Sequence, residues 1–557
     1  MGAELLITNG RVITADPTRP RAEAVAVGGN RILFVGNNED AEAWLGPGTK
    51  QIHADGRTVL PGFIDSHYHL LMGSAEMGNV ALEEVTSLDE LSTVLRSHAR
   101  ENPEAAWVCG SHLKYDILPG QQRLTRHDLD AIVSDRPVAL MAYDYHTLWS
   151  NTLALELAGI LLGGRSGPNS KIVMGEDGLA SGELRERGAF KDVLALTGAW
   201  GRANNDEIGR PSASGGLVDM TEEHQLLQRG LDLAARNGIT SIHNMDGNSQ
   251  VLALYASMED LGELTARVYV PLRVTPETPL TGLQEAVEMR QNVRTEMVHS
   301  GFVKFFMDGV VETWTAMLLE DYADLKGERG SPIYNLEHFS EMAAECDRLN
   351  LQIAVHAIGD GAVRQTLNGF EAVQQMNGKR DSRHRIEHIE IIQPDDLPRF
   401  AQLGVIASMQ PLHLPGALGE DKAWLSHTGQ GRWGRSFAWQ SLRQAGARLV
   451  FGSDWPVVPP DPMLALQVAL TRKPWLPGLP DQHQDLEPAI ASYTRDAAYA
   501  EFQEGCKGQL RPGMLADLVM LSENLEAVPT EEISRAFPIM TICDGRVVFQ
   551  EQGAVSE

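Results

Sequence analysis

Eight short apolar segments, separated by stretches with helical grammar, constrain this chain more than any other feature. They are residues 63–69, 239–243, 267–270, 302–306, 352–356, 385–389, 405–409 and 449–454. Each runs into a polar or Gly-rich loop. Alternating strands and helices imply parallel βα units, and eight such units are what a closed (β/α)₈ barrel needs. The helix read over Leu336–Asn350 is amphipathic, as a helix on the outside of a barrel must be. The count leaves residues from about 75 to 225 as an insertion after the first strand. This stretch has its own apolar strand at 138–143 and a Gly/Ser/Pro-rich portion, Gly163–Ser170. Loops of that length are usually functional or disordered, and we read it as arching over the barrel mouth.

Both ends of the chain read as β-rich. Leu5-Leu6-Ile7 and Arg11–Thr14 flank Asn9-Gly10, the sequence of a tight hairpin. Ala24–Val27 and Arg31–Gly36 flank Gly28-Gly29-Asn30. Near the C-terminus, Ala516–Leu521 is followed by Ile539–Ile542 and Arg546–Phe549 around Asp544-Gly545. Neither end alone buries a core, so the two are expected to pair into one small sheet domain. The domain reading is therefore 1–60 and 501–557 as that β-domain, with the barrel at 61–500.

The formal net charge is −28. That surface repels phosphate backbones and argues against nucleic-acid binding. The four cysteines are far apart, with no Cys-x-x-Cys pair. A thiolate zinc finger and a disulfide framework are both disfavoured, and the cytoplasm is the expected compartment. The N-terminus lacks a basic region before an apolar run, and no apolar run reaches membrane length, so no membrane association is expected.

The first barrel segment ends in His67-Tyr68-His69. Residues i and i+2 share one face of a strand, so the two imidazoles converge at its C-terminal end. Neutral imidazole suits zinc and similar cations. By itself the pair does not separate a metal grip from two solvated side chains. Catalytic groups of a barrel sit at strand C-termini, and there the chain also carries Lys304, His356, His388 and Asp454. Lysine inside an apolar strand is costly unless paired or modified. Six such residues in order along one barrel make a metal centre the stronger reading.

The segments 60–69, 144–151, 303–309, 356–360, 385–388, 452–457 and 512–518 together resemble the metal-dependent amidohydrolase superfamily. The closest likeness is to its amidohydrolase family 3 branch, which includes YtcJ-like hydrolases and N-substituted formamide deformylases. The resemblance spans essentially the whole chain. It implies an α/β fold, a distorted (β/α)₈ TIM barrel with a small β-sandwich built from both termini. It implies zinc, one or two ions, with His67, His69 and Asp454 matching the ligands of one. His356 and His388 match those of a second, and Lys304 matches a carboxylated lysine bridging the two. Glu186 fits a glutamate near the site in this branch; an exposed helix acid reads equally well. The family also commonly forms homodimers.

The activity implied is hydrolysis of a C–N bond in a small-molecule amide, formamide or carbamate. A metal-activated water attacks, and Asp454 serves as general base and then acid. Deamination and ester or lactone hydrolysis use the same machinery and stay open. A non-catalytic scaffold is disfavoured because all six metal positions are filled. Substrate contacts are expected from His146, His243, Glu186, Asp308, His413 and Trp455. For His243 and His413 a structural role reads equally well.

Overall fold

The computed structural model describes residues 2–120, 122–167, 170–204, 221–418 and 422–553. Pro168 and Asn169 of the Gly163–Ser170 portion lie outside them, as do residues 205–220 of the insertion. All eight expected barrel strands form, in chain order. They are β1 Phe63–Tyr68, β2 Ile239–Asn244, β3 Arg267–Arg273 and β4 Val298–Phe306. The others are β5 Gln352–Ala357, β6 Arg385–His388, β7 Ile406–Met409 and β8 Arg448–Phe451. Each pairs in parallel with the next to make one eight-stranded sheet. Buried almost throughout, these strands read as short apolar runs, as parallel strands covered by helices do. The helix Leu336–Arg348 is typical of the cover. Asn335 caps its first turn, and Phe339, Met342, Ala343 and Cys346 form its buried stripe.

The seam between β8 and β1 closes just beyond β8, where the functional residues lie. Asp454 N donates to His67 O (2.7 Å), and His69 N donates to Trp455 O (2.9 Å). The buried carboxylate of Asp65 accepts from Ser453 N (3.0 Å) and His67 N (3.1 Å), fastening the two strands together. Gly452 makes this approach feasible: a Cβ there would stand 2.5 Å from His67 N.

The two ends of the chain form a β-sandwich, as expected, in two sheets. A four-stranded sheet holds Leu5–Thr8, Ala24–Gly28, Arg31–Gly36 and Lys50–His53. A six-stranded sheet joins N-terminal strands to C-terminal ones where Thr58–Pro61 pairs antiparallel with Leu518–Leu521. Val12, Val59, Leu518 and Ile542 share one core with Leu5, Val25 and Ile52. The Asn9-Gly10 hairpin is corrected here. Leu5–Thr8 and Arg11–Ile13 belong to different sheets, and Asn9, at φ 55°, turns the chain from one sheet to the other. A turn does form at Asn9, but the sandwich core takes the flanking strands into opposite layers. Asp544-Gly545 does close a two-residue hairpin, with Cys543 opposite Arg546. A buried fork, Arg267 Nε and Nη2 to Asp517 (2.8 and 2.9 Å), ties the sandwich to β3.

The insertion between β1 and β2 has its own six-stranded sheet, which includes Val108–Leu113 and the expected strand at Val138–Ala142. Val80, Leu91, Leu95, Leu113 and Leu140 share a separate core. It reaches the loops at the C-terminal end of the barrel through several contacts, among them hydrogen bonds with Pro456 and Thr315. The His112 ring bonds Pro456 O (2.7 Å), and Thr315 Oγ1 donates to Glu186 Oε1 (2.6 Å). Among the described residues no helix is long and apolar enough to cross a membrane.

Candidate metal centre

Asp65, His67 and His69 lie on one face of β1 and its extension, as period-2 alternation requires. His67 Nε2 stands 3.3 Å from Asp454 Oδ1, and His69 Nε2 stands 3.0 Å from it. The three ligand atoms lie within one ion's reach of each other. Asp454 reaches them from just beyond the end of β8, in a left-handed backbone conformation (φ 63°). Such strain in a non-glycine residue clusters at functional sites. His388 and His413 form a second group with the same carboxylate; Asp454 Oδ2 is 3.9 Å from His388 Nδ1 and 3.8 Å from His413 Nε2.

His356 and Lys304 complete the cluster from β5 and β4. The His356 and His388 rings are 4.5 Å apart, and those of His67 and His388 4.8 Å. His356 Nε2 donates to Gly309 O (3.1 Å), which leaves Nδ1 as its free lone pair. Lys304 Nζ is fully buried, makes no hydrogen bond, and lies 4.9 Å from the Phe306 ring centroid. Burial draws its ammonium down to about 8. That eases loss of the proton that must leave before the amine can react with CO₂ to give a carbamate.

The electrostatics suit a cation. Burial, with Lys304 adding to it, lowers His67 to about 4 and keeps its imidazole neutral. Burial likewise holds His356 and His388 well below the ordinary histidine value. Burial would raise Asp454, but protonated His69, through its charge and its nearby Nε2, outweighs burial and keeps the carboxylate ionised. At His69 burial works downward, and Asp246 and Asp454 overcome it, raising the ring to about 9. Two carboxylates that hold a proton there would also attract a divalent ion in its place. Buried Asp454 Oδ1 makes no well-aligned hydrogen bond despite two imidazole nitrogens nearby. Buried polar atoms are rarely left so. Imidazole nitrogens converging on a carboxylate form a donor set that fits zinc.

The sequence profile of the amidohydrolase family matches residues 50–549. The chain belongs to the amidohydrolase family. It is a metal-dependent hydrolase of that superfamily. This amidohydrolase is 30% identical to the protein LONG AFTER FAR-RED 3 of Arabidopsis thaliana, over 94% of its own length and 88% of the relative's. It is 25% identical to the N-substituted formamide deformylase of Arthrobacter pascens, over 99% of both chains. Among solved structures, an uncharacterized metal-dependent hydrolase from Pyrococcus horikoshii OT3 superposes with a TM-score of 0.73 at 25% identity, covering 95% of this chain and 99% of that one.

The other candidate residues divide into two groups. His146, Glu186 and His413 lie around the cluster. The His146 ring is 6.0 Å from that of His356, and its Nδ1 bonds Glu186 Oε2 at 2.7 Å. Burial opposes protonation of His146, but Glu186 and then Asp144 prevail and raise it to about 9. Glu186 is no exposed helix acid: it also accepts from Thr313 and Thr315 of the loop after β4.

His243, Asp308 and Trp455 are engaged in the frame; for His243 this is the structural role that read equally well with substrate contact. His243 is wholly buried, between Arg385 Nη1 (2.8 Å) and Glu501 Oε1 (3.1 Å). The Asp308 carboxylate accepts from the backbone N–H groups of Ile358, Gly359 and Met317, pinning two loops. The Trp455 ring packs on Tyr68, 5.0 Å between centroids, and over Gly73, where a Cβ would meet it at 2.4 Å.

Three residues escaped sequence reasoning. Glu387 accepts from His67 Nδ1 (2.7 Å), Asp246 is hydrogen-bonded to His69 Nδ1, and Gln410 bonds His388 Nδ1 (2.9 Å). Each fixes a tautomer and aims the opposite nitrogen inward. An acid directly before a strand-end histidine was the only available signal, and only for Glu387.

Proposed function

We propose that this amidohydrolase is a zinc enzyme cleaving the C–N bond of a small amide, with N-substituted formamides the first class to test. The convergence of His67 Nε2, His69 Nε2 and Asp454 Oδ1 on one point carries this reading. The likeness to a formamide deformylase over the full length of both chains supports the substrate class. His67, His69 and Asp454 would hold one ion, and Lys304 as a carbamate, His356 and His388 a second. A bound divalent ion supplies Lewis acidity and a water acidic enough to attack at neutral pH.

The chain's own residues do the rest. Asp454, kept ionised beside His69, takes the proton from the attacking water. It then returns that proton to the departing amine nitrogen, so one carboxylate serves as base and then acid. Protonated His146, held by Glu186, stabilises the negative charge that grows on the carbonyl oxygen.

A screen of the zinc-loaded protein across N-formyl, N-acyl, carbamate and ester substrates tests the reading. Amine release from an N-formyl or N-acyl compound is the expected result. Turnover confined to esters would overturn the C–N assignment.

A further inference from the structure

Beneath His67 the barrel interior contains a charged pair that takes no part in the proton transfers described above. Arg385 and Glu387 lie two residues apart on β6, so both side chains point inward, and both are fully buried. Arg385 Nε donates to Glu387 Oε1 (2.6 Å) and Nη2 donates to Oε2 (3.1 Å), a two-point fork. The remaining donors reach three other strands: Ser66 O on β1, His243 Nδ1 on β2 (2.8 Å) and Ser408 Oγ on β7 (2.8 Å). Glu387 Oε2 in turn accepts from His67 Nδ1 (2.7 Å). One guanidinium thus fixes, across four strands, the carboxylate that orients a ligand of the cluster.

The matching arm is built differently. Asp246, the partner of His69, sits in the loop after β2 with its side chain 13% exposed, and its nearest guanidinium, Arg273 Nη1, is 3.8 Å away. The partial exposure of Asp246 lets solvent stand in for it, whereas Glu387 has no exposure, so a lost acceptor there leaves buried donors on both His67 and Arg385 unpaired.

We propose that Arg385 and Glu387 act as one positioning element, and that this element, more than Asp246, determines how tightly the centre holds zinc. This inference rests on the metal-centre reading above. Lysine at 385 would keep the charge but lose the planar fork, so it is not a conservative replacement here.

Zinc affinity, measured by competition with a chromophoric chelator, tests the inference, with the visible spectrum of the Co(II)-substituted protein as a coordination readout. Glu387→Gln and Arg385→Lys should each weaken zinc by about 10–100-fold, the usual scale for outer partners of ligating histidines. Both should alter the Co(II) bands. Asp246→Asn should weaken zinc less than either. The double variant should lose about as much as one single, because the two residues act as a unit. Ser408→Ala, which removes only one acceptor from Arg385, gives the same direction at smaller size should the charge variants fail to fold. Wild-type affinity and bands in Glu387→Gln and Arg385→Lys, or in Ser408→Ala if those do not fold, would overturn the inference. A larger loss in Asp246→Asn than in Glu387→Gln would overturn it too. A wild-type protein that binds no zinc would instead overturn the metal-centre reading itself.

Discussion

Asp454 Oδ1 lies 3.0 Å from His69 Nε2, although 385 residues separate them in the chain. The contact spans the barrel seam, so the strand that closes the fold also completes the candidate metal centre. Asp454→Asn should keep the fold and lose the proton carrier. A fall in kcat of about 10²–10⁴-fold is expected, with an unchanged circular dichroism spectrum. Wild-type turnover would remove Asp454 from the chemistry.

Zinc removal is the second test. Dialysis against a strong chelator should abolish amide hydrolysis, and stoichiometric zinc should restore it. Full activity in protein shown by elemental analysis to be metal-free would exclude the metal role.

Lys304 is the marker of ion count. With its buried amine replaced in Lys304→Ala, metal analysis should fall from two zinc ions per chain to one. Two ions retained in the variant would show that the second site needs no carbamate.

The His146–Glu186 pair should make stability pH-dependent. His146 is raised from an ordinary 6.5 to about 9 in the folded protein. A raised value in the folded state means the stabilisation is fully present below about pH 6.5 and is lost as pH climbs through 9. The change is of order 1–3 kcal/mol. Denaturant midpoints at pH 6.5 and 9.5 should show this loss in the wild type and a smaller one in Glu186→Gln. Equal slopes in the two proteins would contradict the pairing.

Gly452 tests the seam. An alanine Cβ would meet His67 N at 2.5 Å and Asp65 Oδ1 at 2.8 Å, so β1 and β8 must separate. Gly452→Ala should cost about 1–3 kcal/mol, the usual range for overpacking, read as a lowered thermal midpoint. No change in midpoint would mean that the seam relaxes freely.

The eight barrel strands, the β-rich ends and the six strand-end residues were legible in the sequence. Hydrophobic periodicity and strand-end placement are local properties, and those elements depend on them. His243 shows where locality fails. It stands near the end of an apolar strand, as His356 does, yet it faces Arg385 and Glu501. Irregular register of β2 against β1, around Ser241 and Asn244, spoils any count of faces along that strand. Asn9-Gly10 failed for a related reason, since a turn sequence does not say which sheet each flanking strand will join.

By itself the sequence determined the fold class and the family, and it placed the metal-capable side chains at the strand ends. Only the tertiary structure decided what holds them. Glu387 reaches His67 across 320 residues of chain, and Asp246 reaches His69 across 177. It likewise brought His413 to Asp454 and withdrew Asp308 to bind backbone. Periodicity specifies which face a residue takes on its own strand. Which carboxylate meets which imidazole depends on strand order, register and barrel closure, and those exist only once the whole chain has packed.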